Sequence, residues 1–395
     1  MEKRIQTKRR RVYLDHAATT PVDPRVVDAM LPYFTEEYGN PSSIHTFGQR
    51  AEFALETSRQ TAADVLSCSA KEVVFTSGGS ESDNLAIRGI ALAAREQRNA
   101  NHILTTKIEH PAVTKTVEQL SAISGFDVEY LPVDQFGLVE PAEVEQRLRE
   151  DTALVSIMYA NNEVGTINPI ADIGAICQRN NVPFHTDAVQ AAAYLPIDVN
   201  HLHVDALSIG AHKLYGPKGI GALYLRAGTP IIPALTGGSQ EFGLRAGTSN
   251  IPYIVGLAEA MRLALEEREI RNQCMSPLRT QLIGQVLASI PEAELTGHPH
   301  QRMPNHTSFV FKGVDGNALI AALDMEGFAC SSGSACKTGD PEPSMVLTTL
   351  GYDREMALGS LRVTLGSHTT QQDVEAFLAA LPGLITRNRQ LSRRS

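Results

Sequence analysis

The stretch AHKLYGPKG, residues 211–219, decides the fold, because it places Lys213 and several glycines directly after the apolar run VDALSIG. Upstream, FHTDAVQ at 184–190 places Asp187 at the end of another short, strand-like segment. Open α/β sheets bind their ligands just beyond the carboxyl ends of their strands. The two stretches therefore predict an amine and a carboxylate in one ligand site at the edge of a sheet.

A loop of glycine and serine, TSGGSESDN at 76–84, adds an anion-binding element to that site. It follows a predicted strand and opens a predicted helix, so Gly78 and Gly79 allow close backbone approach and Ser80 adds a hydroxyl. Taken alone, the loop is also consistent with a plain helix N-cap. Together with a lysine that forms a Schiff base and an acid that keeps a pyridine nitrogen protonated, it predicts binding of pyridoxal 5'-phosphate (PLP).

Length and composition indicate a globular chain of two domains: 395 residues, of which 43% are hydrophobic and 20% are charged. The net charge of −9, from 35 basic and 44 acidic residues, argues against nucleic-acid binding. No apolar run approaches the roughly 18 residues that span a bilayer. The basic start MEKRIQTKRRR has no apolar segment behind it. We therefore expect neither a membrane anchor nor a secretion signal.

The alternation of apolar runs and helical patterns predicts a mostly parallel, seven-stranded sheet covered on both faces. The predicted strands are EVVFTS (72–77), HILTT (102–106), DVEYLPV (127–133), ALVSIMY (153–159), VPFHT (182–186), DALSI (205–209) and GALYL (221–225). Helical patterns lie between many of them, for example at 81–96 and 141–150. This large, ligand-binding domain is expected to span 26–262.

A smaller α+β domain is expected at 263–395, completed by the N-terminal segment 1–25. Its predicted elements are HTSFVFKG (306–313), a helix at 316–326, GFACSSG (327–333) and LRVTLG (361–366). Ahead of them, a long helix is expected from about Ile254 to Leu287, with a break near Pro277 because proline removes a helical hydrogen bond.

Three of the five cysteines, Cys68, Cys177 and Cys274, are expected to be small packing residues. The spacing of the five indicates neither a disulfide framework nor a zinc site. We therefore expect a reduced, cytoplasmic protein. Metal binding is expected at neither of the two histidine pairs, His201 with His203 and His298 with His300.

The segment ACSSGSACKTGDPEPS at 329–344 contains the other two cysteines in different settings. Cys330 abuts apolar residues and is expected to be buried. Cys336 lies among serine, glycine and proline residues, which indicates a loop. Lys337 beside it favours the thiolate, so the pattern indicates a reactive nucleophile rather than a packing residue.

Three further residues follow or lie on predicted strands and are candidates for the site. His110, in TKIEHPAV, can stack on a flat ring and move protons, although a polar loop residue is an equal alternative. Asn162, in YANNEVGTINP, can hydrogen-bond a ring substituent or a substrate. Arg362, in SLRVTLG, can hold a carboxylate with two parallel hydrogen bonds.

Motifs in a fixed order along nearly the whole chain resemble those of cysteine desulfurases of the NifS/IscS type, within the class V aminotransferase group of PLP fold type I. The matching motifs are YLDHAATTPVDP (13–24), GNPSSIH (39–45), TSGGSESDN, EHPAV, NNEVG, DAVQ, AHKLYGPKGIGALY, RAGTSN (245–250), SSGSAC (331–336) and LRVTLG. The long segment after SSGSAC is similar to that branch rather than to the branch with a shorter loop.

The resemblance implies a role in PLP binding for several of these residues. Lys213 is implied as the Schiff-base lysine, and Asp187 as the partner of the pyridine nitrogen. Gln190 is implied on the ring hydroxyl, and His110 stacked on the ring. The implied phosphate-binding residues are Gly79, Ser80, His212 and Thr248, the last contributed by the partner subunit of a homodimer.

The resemblance also implies the reaction. Arg362 falls on the position that binds the substrate carboxylate, and Cys336 on the position that forms a persulfide. The expected activity removes sulfur from L-cysteine, leaves L-alanine, and passes the sulfur to an acceptor protein such as an iron–sulfur scaffold. The alternatives are a PLP-dependent aminotransferase, which has no need of Cys336, a selenocysteine lyase, and a non-catalytic sulfur-relay scaffold, which has no need of the PLP site.

Three features depart from the pattern of that family. Gly210 stands where many members have a phosphate-binding serine, so the phosphate is expected to lose one contact. Lys337 stands where a small polar residue is common. The extended C-terminal tail that binds a scaffold protein in the housekeeping type is not recognisable, so the identity of the acceptor stays open.

Overall fold

A computed structural model describes residues 11–333 and 342–392. Its strands are β1 (Val12–Tyr13), β2 (Val73–Thr76), β3 (His102–Thr106), β4 (Asp127–Leu131), β5 (Thr152–Ser156), β6 (Phe184–Asp187), β7 (Ala206–Gly210), β8 (Gly221–Leu225), β9 (Ala293–Leu295), β10 (His306–Phe311), β11 (Phe328–Ala329) and β12 (Ser360–Thr364). Its helices are α1 (Pro24–Met30), α2 (Pro32–Thr35), α3 (Thr46–Leu66), α4 (Gly79–Arg98), α5 (Pro111–Ser124), α6 (Pro141–Arg147), α7 (Ile170–Arg179), α8 (Ile251–Ser289), α9 (Gly316–Met325), α10 (Met345–Thr349), α11 (Arg354–Leu358) and α12 (Gln371–Ser392).

The described residues form two compact units. The larger unit comprises Thr19–Asn162 and Thr166–Ile270. The smaller unit comprises the described residues up to Ala18, the three residues Glu163–Gly165, and the chain from Arg271 onward. The boundary between the units therefore falls inside α8.

The larger unit contains a seven-stranded sheet in the order β2-β8-β7-β6-β5-β3-β4. The five strands from β7 to β4 are parallel, and β8 is antiparallel to both of its neighbours. All strands except the edge strand β4 are buried along their whole length, as expected for a sheet covered on both faces. The predicted mostly parallel, seven-stranded sheet is confirmed, because each of the seven predicted runs overlaps one of its strands.

The smaller unit contains a three-stranded antiparallel sheet in the order β12-β10-β9. The short β1 pairs in parallel with β11, with Val12 opposite Phe328. An apolar core built around Phe309, Phe311 and Phe377 packs α9 and α12 against these strands. Side chains from the start and the end of the chain thus share one core.

The prediction of a break near Pro277 is wrong. Helix α8 runs without interruption from Ile251 to Ser289, with Pro277 inside it. A proline inside a helix removes one backbone hydrogen bond. Met275 and Leu282, on either side of it, are both buried, and this packing offsets that local loss.

The described cysteines divide by position. Cys177 and Cys330 are buried, as predicted, and Cys68 is partly buried. The prediction that Cys274 is a packing residue is wrong, because its side chain is exposed on α8. A helical position alone does not tell which face of the helix a side chain occupies.

Over residues 11–333 and 342–392, none of the helices combines the length and the apolar character required to cross a bilayer. Within the same ranges, no cluster of three or more histidine, cysteine, aspartate or glutamate side chains has an arrangement suited to a metal ion.

Candidate active site

The larger unit gathers its candidate residues at one edge of the sheet. Strands β2, β3, β6 and β7 run in the same direction, so their carboxyl ends meet at that edge. The polar residues that lie at or follow these ends are Ser77, His110, Asp187 and Lys213. This is the position at which parallel α/β sheets bind ligands.

Lys213 ends a short 3-10 helix, Ala211–Lys213, that directly follows β7. The turn is fixed by Thr20, whose backbone amide donates to the carbonyl of His212 at 2.9 Å. The hydroxyl of Thr20 also accepts from the amide of Tyr215 at 2.9 Å. Tyr215 has a φ of +64°, an uncommon backbone conformation that the surrounding contacts must hold. Sequence reasoning did not predict this role of Thr20, which only a long-range contact reveals.

Asp187 is the last residue of β6, and only 6% of its surface is exposed. Its Oδ1 accepts a hydrogen bond from the amide of Val189 at 2.8 Å. Burial, with the charge of Asp83 second, raises the pKa of Asp187 to about 7. A buried carboxylate needs a cationic or hydrogen-bonding partner. A protonated pyridine nitrogen is such a partner.

His110 is the N-cap residue of α5, and its Nδ1 accepts from the amide of Ala112 at 3.1 Å. In the neutral ring the proton is therefore on Nε2. The pKa of His110 is lowered from its ordinary value, chiefly by burial. The charge of Asp187 opposes this shift, and the charge of Lys213 adds to it. These three side chains therefore act on one another electrostatically, and the imidazole is kept neutral at physiological pH.

A buried polar network lies on the same face of the sheet as Asp187, because His185 is two residues before it on β6. His185 hydrogen-bonds with Ser156 at 2.9 Å and with Ser208 at 3.0 Å, and its Nε2 is 3.5 Å from Oδ1 of Asp83. Burial lowers the pKa of His185 to about 4 and raises that of Asp83 to about 7. These residues were not predicted, because histidine and serine inside apolar strands give no distinct sequence signal.

The N-terminus of α4 forms a cradle at the end of β7. Gly78 has a φ of +155°, which favours glycine, and a Cβ added to Gly79 would lie 2.5 Å from Cγ2 of Val189. A Cβ added to Gly210 would lie 3.5 Å from the amide nitrogen of Gly79. A serine at position 210 would therefore contact the anion-binding end of the helix, so Gly210 removes one hydroxyl from this cradle.

Other predicted residues lie around the same edge. Nδ1 of His212 is 3.2 Å from the hydroxyl of Thr19. Burial and the charge of Lys213 lower the pKa of His212 to about 4. Ser80 is exposed in the first turn of α4, and Gln190 and Asn162 are partly buried in the loops after β6 and β5.

Thr248 is exposed, and it lines a cavity of about 190 Å³ together with Thr76 and Ser77 of the same chain. Its loop is held by Glu241, which accepts two hydrogen bonds from the guanidinium of Arg59, at 2.7 and 3.0 Å. Glu241 and Phe242 both have positive φ, at +47° and +60°. Such backbone strain persists only where packing and hydrogen bonds over-determine the conformation.

In the smaller unit, Arg362 lies on β12 and is 7% exposed. Its guanidinium donates to Oδ1 of Asp15 at 2.9 Å, and Ser331 donates to Oδ2 of Asp15 at 3.1 Å. The pairing of Arg362 with Asp15 was not predicted. Asp15 fixes the orientation of the guanidinium, whose fork geometry suits a substrate carboxylate.

Cys336 and Lys337 lie outside the described residues. The preceding Cys330 is buried, and burial raises the pKa of its thiol well above the ordinary value. A buried thiol with a raised pKa is a poor nucleophile at neutral pH.

The larger unit fits PLP. Lys213 supplies an amine, Asp187 a buried acid and His110 an imidazole with a lowered pKa. The N-terminus of α4 lies close to the end of β7, since a Cβ added to Gly210 would lie 3.5 Å from the amide nitrogen of Gly79. A helix N-terminus suits a phosphate group.

The chain belongs to the class-V aminotransferase family, whose model matches residues 12–377. It is 48% identical to "Cysteine desulfurase IscS" of Methanosarcina thermophila over 388 residues, which cover 98% of this chain and 95% of that protein. It is 45% identical to "Cysteine desulfurase IscS" of Clostridium botulinum (strain Hall) over 385 residues, 97% of this chain and 96% of that protein.

Among solved structures, a "NifS-like protein" superimposes with a TM-score of 0.89 and 40% sequence identity. The match covers 95% of this chain and 100% of that one. The fold is therefore that of the class-V branch of PLP fold type I, as the sequence predicted.

Proposed function

We propose that this protein is a PLP-dependent cysteine desulfurase. It takes the sulfur of L-cysteine onto Cys336 as a persulfide and releases L-alanine. The observation that carries this proposal is the grouping of Lys213, Asp187 and His110 at the sheet edge beside the α4 N-terminus. The similarity to cysteine desulfurases over nearly the whole chain supports it.

Bound PLP supplies an electron sink for the substrate carbons. Lys213 would hold the cofactor covalently, and its free amine would move the proton of the substrate α-carbon. Asp187 would keep the ring nitrogen protonated. Amides at the start of α4, with Gly79, Ser80 and His212, would bind the phosphate, and Gln190 and Asn162 would bind the ring substituents. His110 stays neutral and supplies an imidazole for proton transfer beside Lys213.

Sulfur transfer is the second part of the proposal. Arg362 binds the substrate carboxylate. The Cys336 thiolate attacks the substrate sulfur, so that an S–S bond forms while the C–S bond breaks and its electron pair goes to carbon. L-cysteine and one thiol thus give L-alanine and one persulfide, and no external oxidant is required. A sulfur acceptor such as an iron–sulfur scaffold protein then takes the terminal sulfur atom.

We further propose a cytoplasmic homodimer in which Thr248 of one subunit binds the phosphate held by the other. Exposed apolar side chains on the larger unit support this. Six of them lie between positions 31 and 53: Leu31, Phe34, Tyr38, Ile44, Phe47 and Phe53, of which Ile44 is 93% and Phe53 73% exposed. The rings of Tyr38 and Phe47 pack together with their centroids 5.6 Å apart, and exposed apolar groups in contact mark interaction surfaces.

The direct test is to add L-cysteine and a thiol reductant to the purified protein and to measure alanine and sulfide together with the visible absorbance of PLP. Equal amounts of alanine and sulfide are expected. Alanine without sulfide, or transfer of an amino group to a keto acid, would contradict the proposal and favour an aminotransferase.

The dimer is tested with mixed subunits of Lys213→Ala and Thr248→Ala. If Thr248 acts across the interface, one of the two sites in the mixed dimer has both native residues, so activity returns to about half of the wild-type value. No gain over the Thr248→Ala homodimer would show that Thr248 acts within its own subunit.

A further inference from the structure

Three residues interrupt the larger unit in sequence and belong to the smaller one: Glu163, Val164 and Gly165. The carbonyl of Val164 accepts from the guanidinium of Arg302 at 2.9 Å, and the carbonyl of Gly165 accepts from the amide of Met303 at 2.9 Å. Gly165 has a φ of +80°, and a Cβ there would lie 2.6 Å from the ring of His306. Backbone contacts and close packing therefore hold this segment firmly in the smaller unit.

The side chain of Glu163 lies against two residues that are both distant from it in sequence. Its Oε2 accepts a hydrogen bond from the hydroxyl of Ser344, a residue that is only 3% exposed. A Cβ added to Gly333 would lie 2.7 Å from the same Oε2 and 3.3 Å from Cβ of Ser344. Gly333 and Ser344 therefore meet at one carboxylate oxygen.

Each of these two residues is also fixed to its own part of the smaller unit. The amide of Gly333 donates to the hydroxyl of Ser360 on β12 at 3.2 Å. Two residues earlier, Ser331 exchanges backbone hydrogen bonds with Arg362, at 2.7 and 3.3 Å. Ser344 caps α10, because its hydroxyl accepts from the amide of Leu347 at 3.1 Å. The Glu163 carboxylate lies between the two sides: it is hydrogen-bonded to Ser344 on the helix side and packs against Gly333 on the strand side.

We propose that Glu163 is a positioning residue for sulfur transfer, because its carboxylate accepts a hydrogen bond from Ser344 and packs against Gly333, two residues on either side of the segment that contains Cys336. The inference rests on the proposed function, since it concerns the step in which Cys336 takes the substrate sulfur. A fixed distance between the two flanking residues limits where the thiol can be placed. A displacement of about 1 Å in a reacting group can lower a rate by about 100-fold.

The charge of Glu163 is a separate matter from its hydrogen bond. Burial raises the pKa of Glu163, whereas the Ser344 hydroxyl and the charge of Arg362 lower it. Glu163→Gln removes the charge near Arg362 and keeps an oxygen that accepts from Ser344. Glu163→Ala removes both. We call the contact of Glu163 with Gly333 and Ser344 the clamp, and comparison of the two variants separates the effect of the clamp from the effect of the charge.

Two further variants complete the design. Gly333→Ala disrupts the same contact by changing Gly333 instead of Glu163, because the added Cβ would lie 2.7 Å from Oε2 of Glu163. Asp373→Ala is the matched control. Asp373 is a buried carboxylate in the smaller unit that accepts from a threonine hydroxyl, Thr370, at the start of α12. Removal of the Asp373 carboxylate should lower the free energy of unfolding by a similar amount, at a position remote in sequence from the clamp.

The clamp can be tested independently of turnover by measuring amide hydrogen exchange of the PLP-loaded proteins. Mass spectrometry measures the exchange rate in peptides around 327–333 and 344–350. Glu163→Ala and Gly333→Ala should exchange faster in both peptides. Their kcat for alanine formation should fall roughly tenfold or more, while KM for cysteine and PLP content change less than about twofold. Glu163→Gln should stay within about threefold of the wild-type kcat, and Asp373→Ala should change neither the two peptides nor kcat.

Three results would overturn the clamp: wild-type exchange in both peptides of Glu163→Ala, faster exchange with an unchanged kcat, or faster exchange across the whole smaller unit. A Glu163→Gln variant as slow as Glu163→Ala would show that the charge, not the contact, is required. Failure of the proposed function is separate, because the wild-type protein itself would then produce no alanine from cysteine.

Discussion

The two units hold their candidate site residues in different ways. In the larger unit, the ends of buried parallel strands place Lys213, Asp187 and His110 at one edge of the sheet. In the smaller unit, Arg362 and the residues that flank Cys336 are held by side chains from distant parts of the chain, Asp15 and Glu163. Strand direction brings the first group of residues together, and local hydrogen bonds such as those of Thr20 then fix its turns. The second group depends on a few hydrogen bonds between distant parts of the chain. The cofactor site should therefore tolerate changes around the sulfur site, and the converse need not hold.

The largest expected effect is that of Lys213→Ala. No covalent link to PLP can form at that position, and the group proposed to move the α-proton is lost, so turnover should fall by about 10⁴-fold or more. Absorbance and borohydride reduction measure the link. An undiminished, borohydride-reducible PLP adduct in Lys213→Ala would contradict the assignment of Lys213 as the Schiff-base lysine. The larger unit could then not be described as holding its cofactor through a residue at a strand end.

Asp187→Ala tests whether a buried acid at a strand end is what makes the cofactor an electron sink. The folded protein should bind PLP more weakly, and turnover should fall by about 10²- to 10³-fold, because an unprotonated ring nitrogen withdraws electrons poorly. PLP titration and alanine assays measure both effects. Near-normal turnover would mean that another acid protonates the ring.

Asp83→Asn sharpens the description of the buried network behind that acid. The pKa of Asp83 is about 7 in the folded protein, against an ordinary value of 3.8, so the folded state keeps a proton that the unfolded chain loses. The contribution of Asp83 to the free energy of unfolding of the wild type is therefore fully present at low pH and is lost as the pH rises from about 4 to about 7. Relative to the wild type, cofactor-free Asp83→Asn should gain stability over that range, by at most about 4 kcal/mol, and gain no more above it.

Urea unfolding of the two cofactor-free proteins at several pH values measures this difference. Because the other buried acids and histidines are common to both proteins, their contributions largely cancel. A difference in unfolding free energy that does not change between pH 4 and pH 7 would show that Asp83 is ionised in the folded state.

The smallest expected effects concern the cysteines outside the chemistry. Cys330→Ala should keep most of the activity and lower the free energy of unfolding by about 1–2 kcal/mol, because a buried side chain is shortened. Cys274→Ser, on the exposed face of α8, should change stability by less than about 0.5 kcal/mol. Loss of activity in Cys330→Ala with unchanged stability would instead place Cys330 in the sulfur-transfer step.

Sequence predicted the larger unit well because its signals are local. The strands lie in short, largely apolar runs. Asp187 ends one strand and Lys213 lies three residues beyond another, so both could be placed without knowledge of long-range contacts. The prediction of a break at Pro277 failed because the packing of α8 offset the lost hydrogen bond.

The smaller unit shows why the remainder could not be predicted. Asp15 and Arg362 are 347 positions apart, and Glu163 and Ser344 are 181 apart. Periodicity and turn chemistry act over a few residues and give no information on such pairs. The motifs that contain Asp15 and Glu163 were recognised, but their contacts became clear only from the fold.

The measurement that tests the account most directly is to locate the persulfide by mass spectrometry after brief treatment with L-cysteine. The account predicts one additional sulfur atom on Cys336, assigned by fragmentation of the peptide that it shares with Cys330, and none on Cys330 or Cys274. It also predicts no additional sulfur in Lys213→Ala, whose cofactor chemistry is lost. A persulfide on Cys330 and not on Cys336, or a persulfide formed equally well in Lys213→Ala, would contradict the account.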